Sequence, residues 1–551
     1  RAAAGLIAPG SRRVIVKARI TKFKAGDLGA ARAHLRYIQR DGVTPEGEAG
    51  QLYSRDLDEA NGTAFLDECG EDRHQFRLIV SPEDGTQLQD LKPFIRDFMA
   101  QVIAARVSED NISRVNDPFD RRRDAVDEIN SSSPENYNCS RILYDNLAAK
   151  RAEKTAIVCG DRRISYGGLC ADASRAGNGL AAMGLARGSR VLLLMHDTPE
   201  YAAAIFGALR AGFVPVLINT LSPAELVGFY LQDCGAEVAI VSGELASLLS
   251  HESVRASRLR HAIFVGETKD APNLGLAAAH DWHDCLARHS DQLAEADTHR
   301  DEMAFWMYSS GSTGRPKGVV HLHHDAPYTH LAYGEGVLGI RESDIVFSPP
   351  KIFFAYGFGN SLTFPFSVGA TTVLLPGRPD AQAVFDTIEQ HRPTMLFGLP
   401  TLYNALVAHP GSETRDLSSL RLCLSAAETL SGELYREWKQ RYGHAIIEGL
   451  GSTEVLHIYL SNRPERQKIG ASGMRVPGYE INLTDPDGKI LGAGESGVLW
   501  VRGDSQAPLY WNRPDKTAET MRDGWIYTGD RFVRDADGFH LGQHYDILDI
   551  V

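Results

Sequence analysis

Between two apolar runs lies the stretch Tyr308-Ser309-Ser310-Gly311-Ser312-Thr313-Gly314-Arg315-Pro316-Lys317-Gly318. It holds three glycines, four Ser or Thr hydroxyls and one lysine, and the flanking runs predict a strand on each side of a glycine-rich loop. Glycines let backbone N–H groups approach a phosphate, and hydroxyls donate hydrogen bonds to its oxygens. The loop therefore predicts a phosphate site rather than an ordinary polar hairpin. It is not a Walker A loop, because no Gly-Lys-Ser/Thr follows the spacer.

The totals predict a globular protein of three or four domains. The chain has 551 residues, of which 43% are hydrophobic and 23% charged, with a net charge of −13. This charge argues against a general nucleic-acid binder, and no apolar run is long enough to predict a membrane span. The seven cysteines are scattered without a C-x-x-C pair, which predicts reduced, buried thiols in a cytoplasmic protein.

Residues 1–125 differ from the rest in charge. They contain 20 basic and 20 acidic residues, whereas the remainder contains 38 and 51. The first 24 residues hold seven basic side chains and no acidic one. The apolar patterns predict strands at 14–20 and 75–80 and helices at 30–39 and 88–107.

Two stretches of this front part, residues 33–42 and 73–84, resemble plasmid-mobilisation relaxases. The resemblance places Tyr37 where that family has its DNA-attacking tyrosine. The His-x-His metal motif of the family does not follow, and residues 116–136 have the composition of a linker. We therefore interpret residues 1–115 as an incomplete relaxase-like fragment, vestigial or accidentally fused. Nucleic-acid binding through residues 1–125 is an alternative that the basic arm leaves open.

A different pattern begins near Tyr137, where helices and short apolar strands alternate. This order predicts parallel strands covered by helices. Ser222 and Pro223 are predicted as the N-cap and first residue of a helix. A hairpin is predicted around Gly160-Asp161. The other predicted elements are helices at 143–151, 169–183 and 199–211 and strands at 190–195, 214–218, 237–241, 261–265, 422–424 and 445–447.

Three further segments accompany the loop, residues 425–428, 448–454 and 524–530. In the adenylate-forming family, which they resemble together with the loop, the segment 448–454 lies against AMP, and the resemblance gives Glu454 the Mg²⁺ ion, a hard cation that suits a carboxylate. The resemblance also implies that Asp530 lies at a strand end, where a carboxylate accepts both hydroxyls of a ribose, and that the small residues at 425–428 let the backbone close over the adenine.

In this order and spacing, the four segments resemble the adenylate-forming superfamily, the acyl- and aryl-CoA ligases, over residues 137–540. The resemblance implies a large α/β domain of mostly parallel sheets flanked by helices, with a smaller β subdomain, preceded here by a small α+β segment. It implies ATP, Mg²⁺ and coenzyme A as cofactors. It also implies Thr313, Lys317, Thr453 and Glu454 as catalytic residues, with Glu454 as the metal ligand. The implied ATP- and AMP-binding residues are Ser309, Ser310, Gly311, Ser312, Thr313, Gly314, Ser425, Ala426, Ala427, Glu428, Glu448, Gly449, Leu450, Thr453 and Asp530.

The substrate segments resemble benzoate–CoA ligases in particular. Aromatic walls at residues 353–358 suit a flat acid, and the implied substrate residues are Phe354, Ala355, Tyr356, Gly357 and His457. The alternatives are that the aromatics are core and that His457 is a core histidine bonded to a backbone carbonyl.

A cluster of three histidines, His321, His323 and His324, follows the glycine-rich loop. It could bind zinc or have a structural role, and we favour the structural role.

The mechanism that the resemblance implies is attack of the carboxylate on the α-phosphate of ATP, followed by transfer of the acyl group to coenzyme A. The family continues into a small mobile domain behind a hinge, which residues 541–551 match poorly. We therefore expect slow adenylation and little acyl-CoA. The alternatives are a DNA-mobilisation protein and a joined gene product without function.

Overall fold

A computed structural model describes residues 134–268, 278–309 and 315–544, and the backbone of five earlier strands. The chain divides into two compact units, residues 1–118 and 119–551.

The five strands of the first unit form one sheet in the order β2-β1-β5-β4-β3. β1 pairs in parallel with β5 and antiparallel with β2. The strands are β1 Arg12–Ile20, β2 Ala33–Ile38, β3 Gln51–Asp58, β4 Thr63–Cys69 and β5 His74–Ile79. The strands predicted at 14–20 and 75–80 are thus confirmed as β1 and β5. The helix predicted at 88–107 lies outside the described residues.

The helix predicted at residues 30–39 is wrong, because this stretch contains β2. From Ala33 to Tyr37 the sequence alternates apolar and polar residues, which also suits a strand. β2 pairs with β1 from Ile15 opposite Ile38 to Ile20 opposite Ala33. This long-range pairing outweighs the weak local preference for a helix.

The second unit contains the remaining strands. They are β6 Thr155–Cys159, β7 Arg162–Ser165, β8 Arg190–Leu194, β9 Val214–Leu217, β10 Val238–Ser242, β11 His261–Val265, β12 Ala278–Asp281, β13 Met303–Ser309, β14 Lys317–Leu322, β15 Ile345–Phe347, β16 Thr371–Leu374, β17 Met395–Gly398, β18 Leu422–Ser425, β19 Ile446–Gly451, β20 Ile458–Ser461, β21 Met474–Arg475, β22 Glu480–Thr484, β23 Ser496–Arg502, β24 Met521–Arg522, β25 Trp525–Arg534 and β26 His540–His544.

Two large sheets in this unit are parallel inside and antiparallel at their edges. One has the order β12-β11-β10-β8-β9-β13-β14 and the other β21-β20-β19-β18-β17-β15-β16-β6-β7. Only β13/β14 in the first sheet, and β6/β7, β19/β20 and β20/β21 in the second, are antiparallel pairs. A third sheet, β22-β23-β25-β24 with β26 on β25, is antiparallel. This architecture confirms the predicted adenylate-forming α/β fold with a smaller β subdomain.

Helices cover the parallel sheets. The α-helices are Arg141–Ala148, Tyr166–Ala182, Pro199–Arg210, Ala224–Cys234, Glu252–Arg255, Trp282–Ala287, Asp325–Thr329, Ala355–Phe358, Phe364–Val368, Ala381–His391, Pro400–Ala408, Gly432–Tyr442 and Pro514–Thr520. Short 3₁₀ turns span Gly243–Ser250, Ser412–Thr414 and Thr453–Val455, and π turns span His330–Glu335 and Gly359–Thr363. In the described part of the chain, no helix has the length and apolar character needed to cross a bilayer.

The predicted cap of the helix Ala224–Cys234 is wrong by one residue. The N-cap is Pro223, and no side chain caps this helix. The Ser222 hydroxyl is used elsewhere, in a hydrogen bond with the Tyr230 side chain. Because Tyr230 lies two turns further along the helix, local sequence alone did not reveal this competing partner.

The parallel strands are buried on both faces, as their continuous apolar sequence predicts. Leu192 and Leu193 of β8 point to opposite faces and are both fully buried, in different apolar clusters.

At the carboxyl ends of the strands the residues become polar. β13 ends at Ser309 and β18 at Ser425, and Ser425 stands in register with Glu448 of β19. Such strand ends are where open α/β sheets bind ligands.

Candidate functional site

The glycine-rich loop joins β13 to β14, as predicted. The two strands form an antiparallel hairpin in which Ser309 stands opposite Lys317. Ser310, Gly311, Ser312, Thr313 and Gly314 lie outside the described residues. The described ends of the loop therefore carry the structural argument.

Glu454 joins this hairpin to a segment distant in sequence. The Ser309 hydroxyl donates to Glu454 Oε1 at 3.3 Å, and the Tyr510 hydroxyl donates to the same oxygen at 2.8 Å. Lys317 Nζ lies 4.4 Å from the centre of the Tyr510 ring, within reach of a cation–π interaction. We call Ser309, Lys317, Thr453, Glu454 and Tyr510 the phosphate-side cluster. It brings together residues from the first two predicted motifs.

Tyr510 is a member that sequence reasoning missed. Burial, together with the neighbouring Glu454 carboxylate, raises its pKa well above the usual value, so the phenol stays a donor. No motif singled it out, because its partner stands 56 residues away in the chain. Its only signal was an aromatic pair, Tyr510-Trp511, directly behind a polar loop.

The segment around Tyr510 connects the two motifs through its backbone. Ala507 N–H donates to the Glu454 carbonyl at 2.7 Å, and Trp511 N–H donates to the Gly318 carbonyl at 2.8 Å. The Ser505 hydroxyl donates to the Val455 carbonyl at 2.8 Å. Residues 505–511 therefore hold the 3₁₀ turn Thr453–Val455 against the hairpin.

The turn Thr453–Val455 follows a strand that is longer than predicted, and a residue with an unusual backbone conformation comes directly after it. β19 continues through Gly451, further than the predicted strand at 445–447, because Gly449 and Leu450 pair with Ser461 and Leu460 of β20. Leu456, directly behind the turn, has φ +70°, a conformation that is unfavourable for a side chain with Cβ. A reversal this tight presents Thr453 and Glu454 on one short turn.

The second part of the site lies at the ends of β18 and β19. Ser425 is buried, and its hydroxyl has no hydrogen-bond partner among the described residues. Ala427 adopts φ +73°, which only a tightly constrained loop imposes on an alanine. Burial raises the pKa of Glu448 to about 8, against the opposing hydrogen bond from Leu430 N–H at 3.2 Å. Nucleotide binding by Ser425, Ala427 and Glu448 stays a prediction.

Glu428 has a partner that the sequence did not suggest. Its carboxylate accepts hydrogen bonds from Thr401 N–H at 3.1 Å and from the Thr401 hydroxyl at 3.2 Å. Thr401 lies in the first turn of the helix Pro400–Ala408, where a carboxylate satisfies free N–H groups. Nucleotide binding by Glu428 stays a prediction.

Asp530 was predicted at a strand end, and this is wrong, because β25 continues to Arg534. Tyr527 stands opposite Trp500 and Arg531 opposite Val498, so Thr528, Gly529 and Asp530 together face Leu499. This bulge needs Gly529 at φ +83°, and Asp530 N–H donates to the Thr528 hydroxyl at 3.1 Å. A bulge re-aims a side chain within a strand, which is an alternative way of presenting the carboxylate.

The predicted substrate residues lie in a separate aromatic cluster. The His457 ring is packed among Tyr333, Tyr356 and Phe364, with ring centres 5.3, 5.6 and 4.5 Å away. Its Nε2 is 3.2 Å from Asn360 Oδ1. Burial lowers the pKa of His457 to about 3, although a hydrogen bond with the Tyr356 backbone opposes this shift. His457 is therefore a neutral imidazole. Its hydrogen bond with the Tyr356 backbone is the kind of contact that the alternative of a core histidine predicts. Its role toward a substrate stays a prediction.

The other predicted substrate residues, 354–357, are consecutive in the chain. Ala355 and Tyr356 are buried and Phe354 is half-buried. At Gly357 a Cβ atom would stand 2.0 Å from the Lys351 carbonyl, so only glycine fits there. The same holds for Gly359, where a Cβ atom would stand 2.4 Å from the His457 ring.

The three histidines that follow the glycine-rich loop, His321, His323 and His324, have structural partners. His323 Nδ1 accepts from Cys139 N–H at 3.1 Å, and His324 places its two nitrogens 2.9 Å from the Arg300 and Asp504 carbonyls. His321 contacts Asp325 and the Thr453 carbonyl. No group of three or more metal-ligating side chains stands together in the described part of the chain.

The site fits the implied nucleotide and cation. Two buried hydroxyls, Ser425 Oγ and Ser452 Oγ, have no protein partner in the described ranges, and Glu454 supplies a carboxylate. Mg²⁺ takes oxygen ligands and commonly binds through one or two carboxylates plus substrate phosphates. Glu454 would hold the cation together with the phosphates of ATP.

Two expectations fall largely outside the described residues. The relaxase interpretation depends on the side chain of Tyr37, which is not described. The poorly matching stretch 541–551 is described only to residue 544. Both the relaxase interpretation and the expected slow turnover stay predictions.

Comparison with known proteins identifies the chain's relatives. A family model described as AMP-binding enzyme matches residues 144–511. A benzoate–CoA ligase of Thauera aromatica is 40% identical over 422 residues, which are 76% of this chain and 78% of that protein. A 4-hydroxybenzoate–CoA/benzoate–CoA ligase of Rhodopseudomonas palustris is 41% identical over 418 residues, which are 75% and 76% of the two chains.

A solved structure gives the same result. The crystal structure of the anthranilate CoA ligase AuaEII in complex with anthranoyl-AMP superposes with a TM-score of 0.72 at 39% identity. The match covers 75% of this chain and 78% of that one.

Proposed function

The chain belongs to the AMP-binding enzyme family, and from this premise we propose that it joins an aromatic, benzoate-like acid to coenzyme A at the expense of ATP. It is an AMP-forming acid–thiol ligase that uses ATP, Mg²⁺ and coenzyme A. The observation that carries the proposal is the meeting of the hairpin with Glu454, through Ser309 and Tyr510. Two predicted motifs 145 residues apart meet there, because Ser309 of the first donates a hydrogen bond to Glu454 of the second.

The reaction proceeds in two balanced steps. A carboxylate oxygen of the acid attacks the α-phosphorus of ATP, the bond to the β-phosphate oxygen breaks, and pyrophosphate leaves. The thiol of coenzyme A, losing its proton, then attacks the acyl carbon and AMP leaves with the carboxylate oxygen. The protein needs no nucleophile of its own, so its contribution is positioning and charge neutralisation.

The phosphate-side cluster supplies that positioning. We assign Lys317 to the departing phosphates, Thr453 to the α-phosphate and the Ser309 hydroxyl to the orientation of Glu454. Glu454, oriented by two hydroxyl donors, keeps its carboxylate for the cation, which neutralises phosphate charge when bound. Ser425, Ala426, Ala427, Glu448, Gly449 and Leu450 are assigned to adenine and Asp530 to the ribose. Leu450 offers adenine an aliphatic face.

We assign Phe354, Ala355, Tyr356, Gly357 and His457 to the acid. Aromatic faces among these residues would favour a flat ring over a flexible aliphatic chain. A neutral His457 adds no charge that would trap the carboxylate away from the α-phosphorus. We infer a cytoplasmic location, which is supported by six buried cysteines that are free thiols in the described residues.

The test uses the full chain with MgATP and benzoate, 4-hydroxybenzoate or hexanoate. We expect pyrophosphate exchange into ATP that depends on the aromatic acids, exceeds that with hexanoate at least tenfold, and yields an aroyl-CoA when coenzyme A is added. Glu433→Gln, at an exposed helix start, serves as a matched control for Glu454→Gln. Pyrophosphate exchange into ATP that does not depend on the added acid, or that Glu454→Gln leaves unchanged, would overturn the proposal.

A further inference from the structure

A buried pair of side chains stands directly behind the turn that carries Thr453 and Glu454. His321, in β14, places Nδ1 2.8 Å from Asp325 Oδ2 and Nε2 2.9 Å from the Thr453 carbonyl oxygen. His321 and Asp325 are both fully buried. Neither side chain has a part in the chemistry assigned above.

The partner of Nε2 fixes the direction of its hydrogen bond. A carbonyl oxygen only accepts hydrogen bonds. His321 Nε2 therefore carries an N–H and donates it to the Thr453 carbonyl oxygen, while Nδ1 is held by the Asp325 carboxyl group.

Asp325 is itself held by two further contacts. Its Oδ2 also accepts from Leu322 N–H at 3.0 Å, and its Oδ1 lies 3.2 Å from His324 Nε2. Burial would lower the pKa of His324, but Asp325 and Asp301 raise it to about 9. Asp325 is therefore a fixed partner for His321 Nδ1.

The contact with Thr453 matters because it ties the turn Thr453–Val455 to β14, which the turn's own backbone bonds do not do. Those bonds join Val455 N–H to the Ser452 carbonyl at 3.2 Å and Leu456 N–H to the Thr453 carbonyl at 3.0 Å. Leu456 has the unfavourable φ of +70°. The Phe305 ring stacks on His321 at 5.3 Å between centres, which fixes the imidazole plane. His321 thus adds a rigid anchor from β14, the strand that also carries Lys317.

We propose that His321, held in place by Asp325, is a positioning residue that donates from Nε2 to the Thr453 carbonyl and so aims Thr453 and Glu454 at the phosphates. The inference rests on the proposed function, because the reaction defines what Thr453 and Glu454 must reach. It concerns an anchor for the turn, not a group that touches the substrate.

The kinetic test compares His321→Leu, His321→Gln and His323→Leu. Leucine removes both ring nitrogens, glutamine keeps one N–H for the Thr453 carbonyl, and His323→Leu removes a similarly buried neighbour that bonds to Cys139 N–H instead. We expect His321→Leu to lower kcat of benzoate-dependent pyrophosphate exchange at least tenfold with little change in KM for benzoate. His321→Gln restores kcat to within about threefold of wild type, and His323→Leu leaves it within about threefold. Equal losses of kcat in both leucine variants, in proportion to their thermal stability, would overturn the proposal.

The second readout needs no ligand. In the full chain with ¹⁵N-labelled histidine, NMR at pH 7.5 is expected to show a proton on Nε2 of His321, assigned through its loss in His321→Gln. An Nε2 without a proton in the wild type would overturn the proposal. If the wild type shows no exchange with any aryl acid, the proposed function fails, and the NMR result still decides whether His321 donates to the Thr453 carbonyl.

Discussion

The phosphate-side cluster and the aromatic cluster are built in opposite ways. In the first, Glu454 accepts two hydroxyl donors, and a lysine lies over the Tyr510 ring. In the second, aromatic rings pack around His457, and burial lowers the pKa of this histidine to about 3. Under the proposed function, the first cluster meets the charge of the phosphates and the second holds the ring of the acid.

This contrast predicts that the largest loss follows from removing the charge of the phosphate-side cluster. Glu454→Gln keeps the shape and one acceptor but not the carboxylate that suits Mg²⁺. We expect benzoate-dependent pyrophosphate exchange to fall at least about 100-fold, as when one preorganised electrostatic group is lost. Glu433→Gln should remain at the wild-type rate. A Glu454→Gln enzyme within fivefold of wild type would remove the distinction between the two clusters.

A backbone change tests the aromatic cluster without altering any charge. Gly359→Ala places a Cβ atom against the His457 ring, where 2.4 Å is available. We expect KM for benzoate to rise about tenfold, KM for ATP to stay constant, and stability to fall by about 1–3 kcal/mol, a typical cost of overpacking. Gly377→Ala is the control, because a Cβ atom there meets nothing within 4 Å. An equal rise in both KM values would show that the clusters are not independent.

A smaller effect is expected from removing one hydroxyl donor at Glu454. Tyr510→Phe deletes the 2.8 Å hydrogen bond and keeps the ring beneath Lys317. Because the Ser309 donor remains, we expect kcat to fall about 3- to 10-fold with KM for benzoate unchanged. Tyr435→Phe, which loses a comparable bond to Gln467, is the control for the loss of a phenol. Steady-state exchange kinetics of the two variants decide the point, and equal kcat values would refute the role of Tyr510.

The smallest effect concerns stability and pH at Glu448. Its native pKa of about 8 lies above the ordinary 4.5, so the native state binds more protons than the unfolded state between these pH values. The free energy of unfolding that depends on this group therefore decreases as pH rises from 4.5 to 8. Glu448→Gln removes the penalty, and we expect it to be more stable than wild type at pH 8.5 and nearly equal at pH 5. Denaturant titrations at both pH values test this, and a variant that is less stable at pH 8.5 would contradict it.

Sequence patterns predicted the parts of the fold whose signals are local. β8 and β11 are continuous apolar runs, and the hairpin β13–β14 is bounded by a loop of glycines and hydroxyls. They were recognisable because each carries its own pattern. The predicted helix at 30–39 failed because β2 is determined by pairing with β1. The strand-end position of Asp530 failed because a bulge opposite Leu499 is set by the register of β25.

The candidate site likewise contains residues with a local sequence signal and residues whose contacts depend on distant parts of the chain. Glu454 and Lys317 were predicted because phosphate and Mg²⁺ chemistry demands particular residue types in short motifs. Tyr510 and the contact of His321 with Thr453 were not predictable, because each joins residues more than 50 positions apart. In the aromatic cluster the sequence left two interpretations of His457 open, since a substrate wall and a packed core use the same residues.

The central claim is that the carboxylate of an aromatic acid attacks the α-phosphorus of ATP at the phosphate-side cluster. Benzoate labelled with ¹⁸O in both carboxylate oxygens tests it most directly, with MgATP, coenzyme A and the full chain. Mass spectrometry is expected to find one ¹⁸O in the AMP released and none in pyrophosphate. Label in inorganic phosphate, or unlabelled AMP alongside aroyl-CoA, would contradict the account.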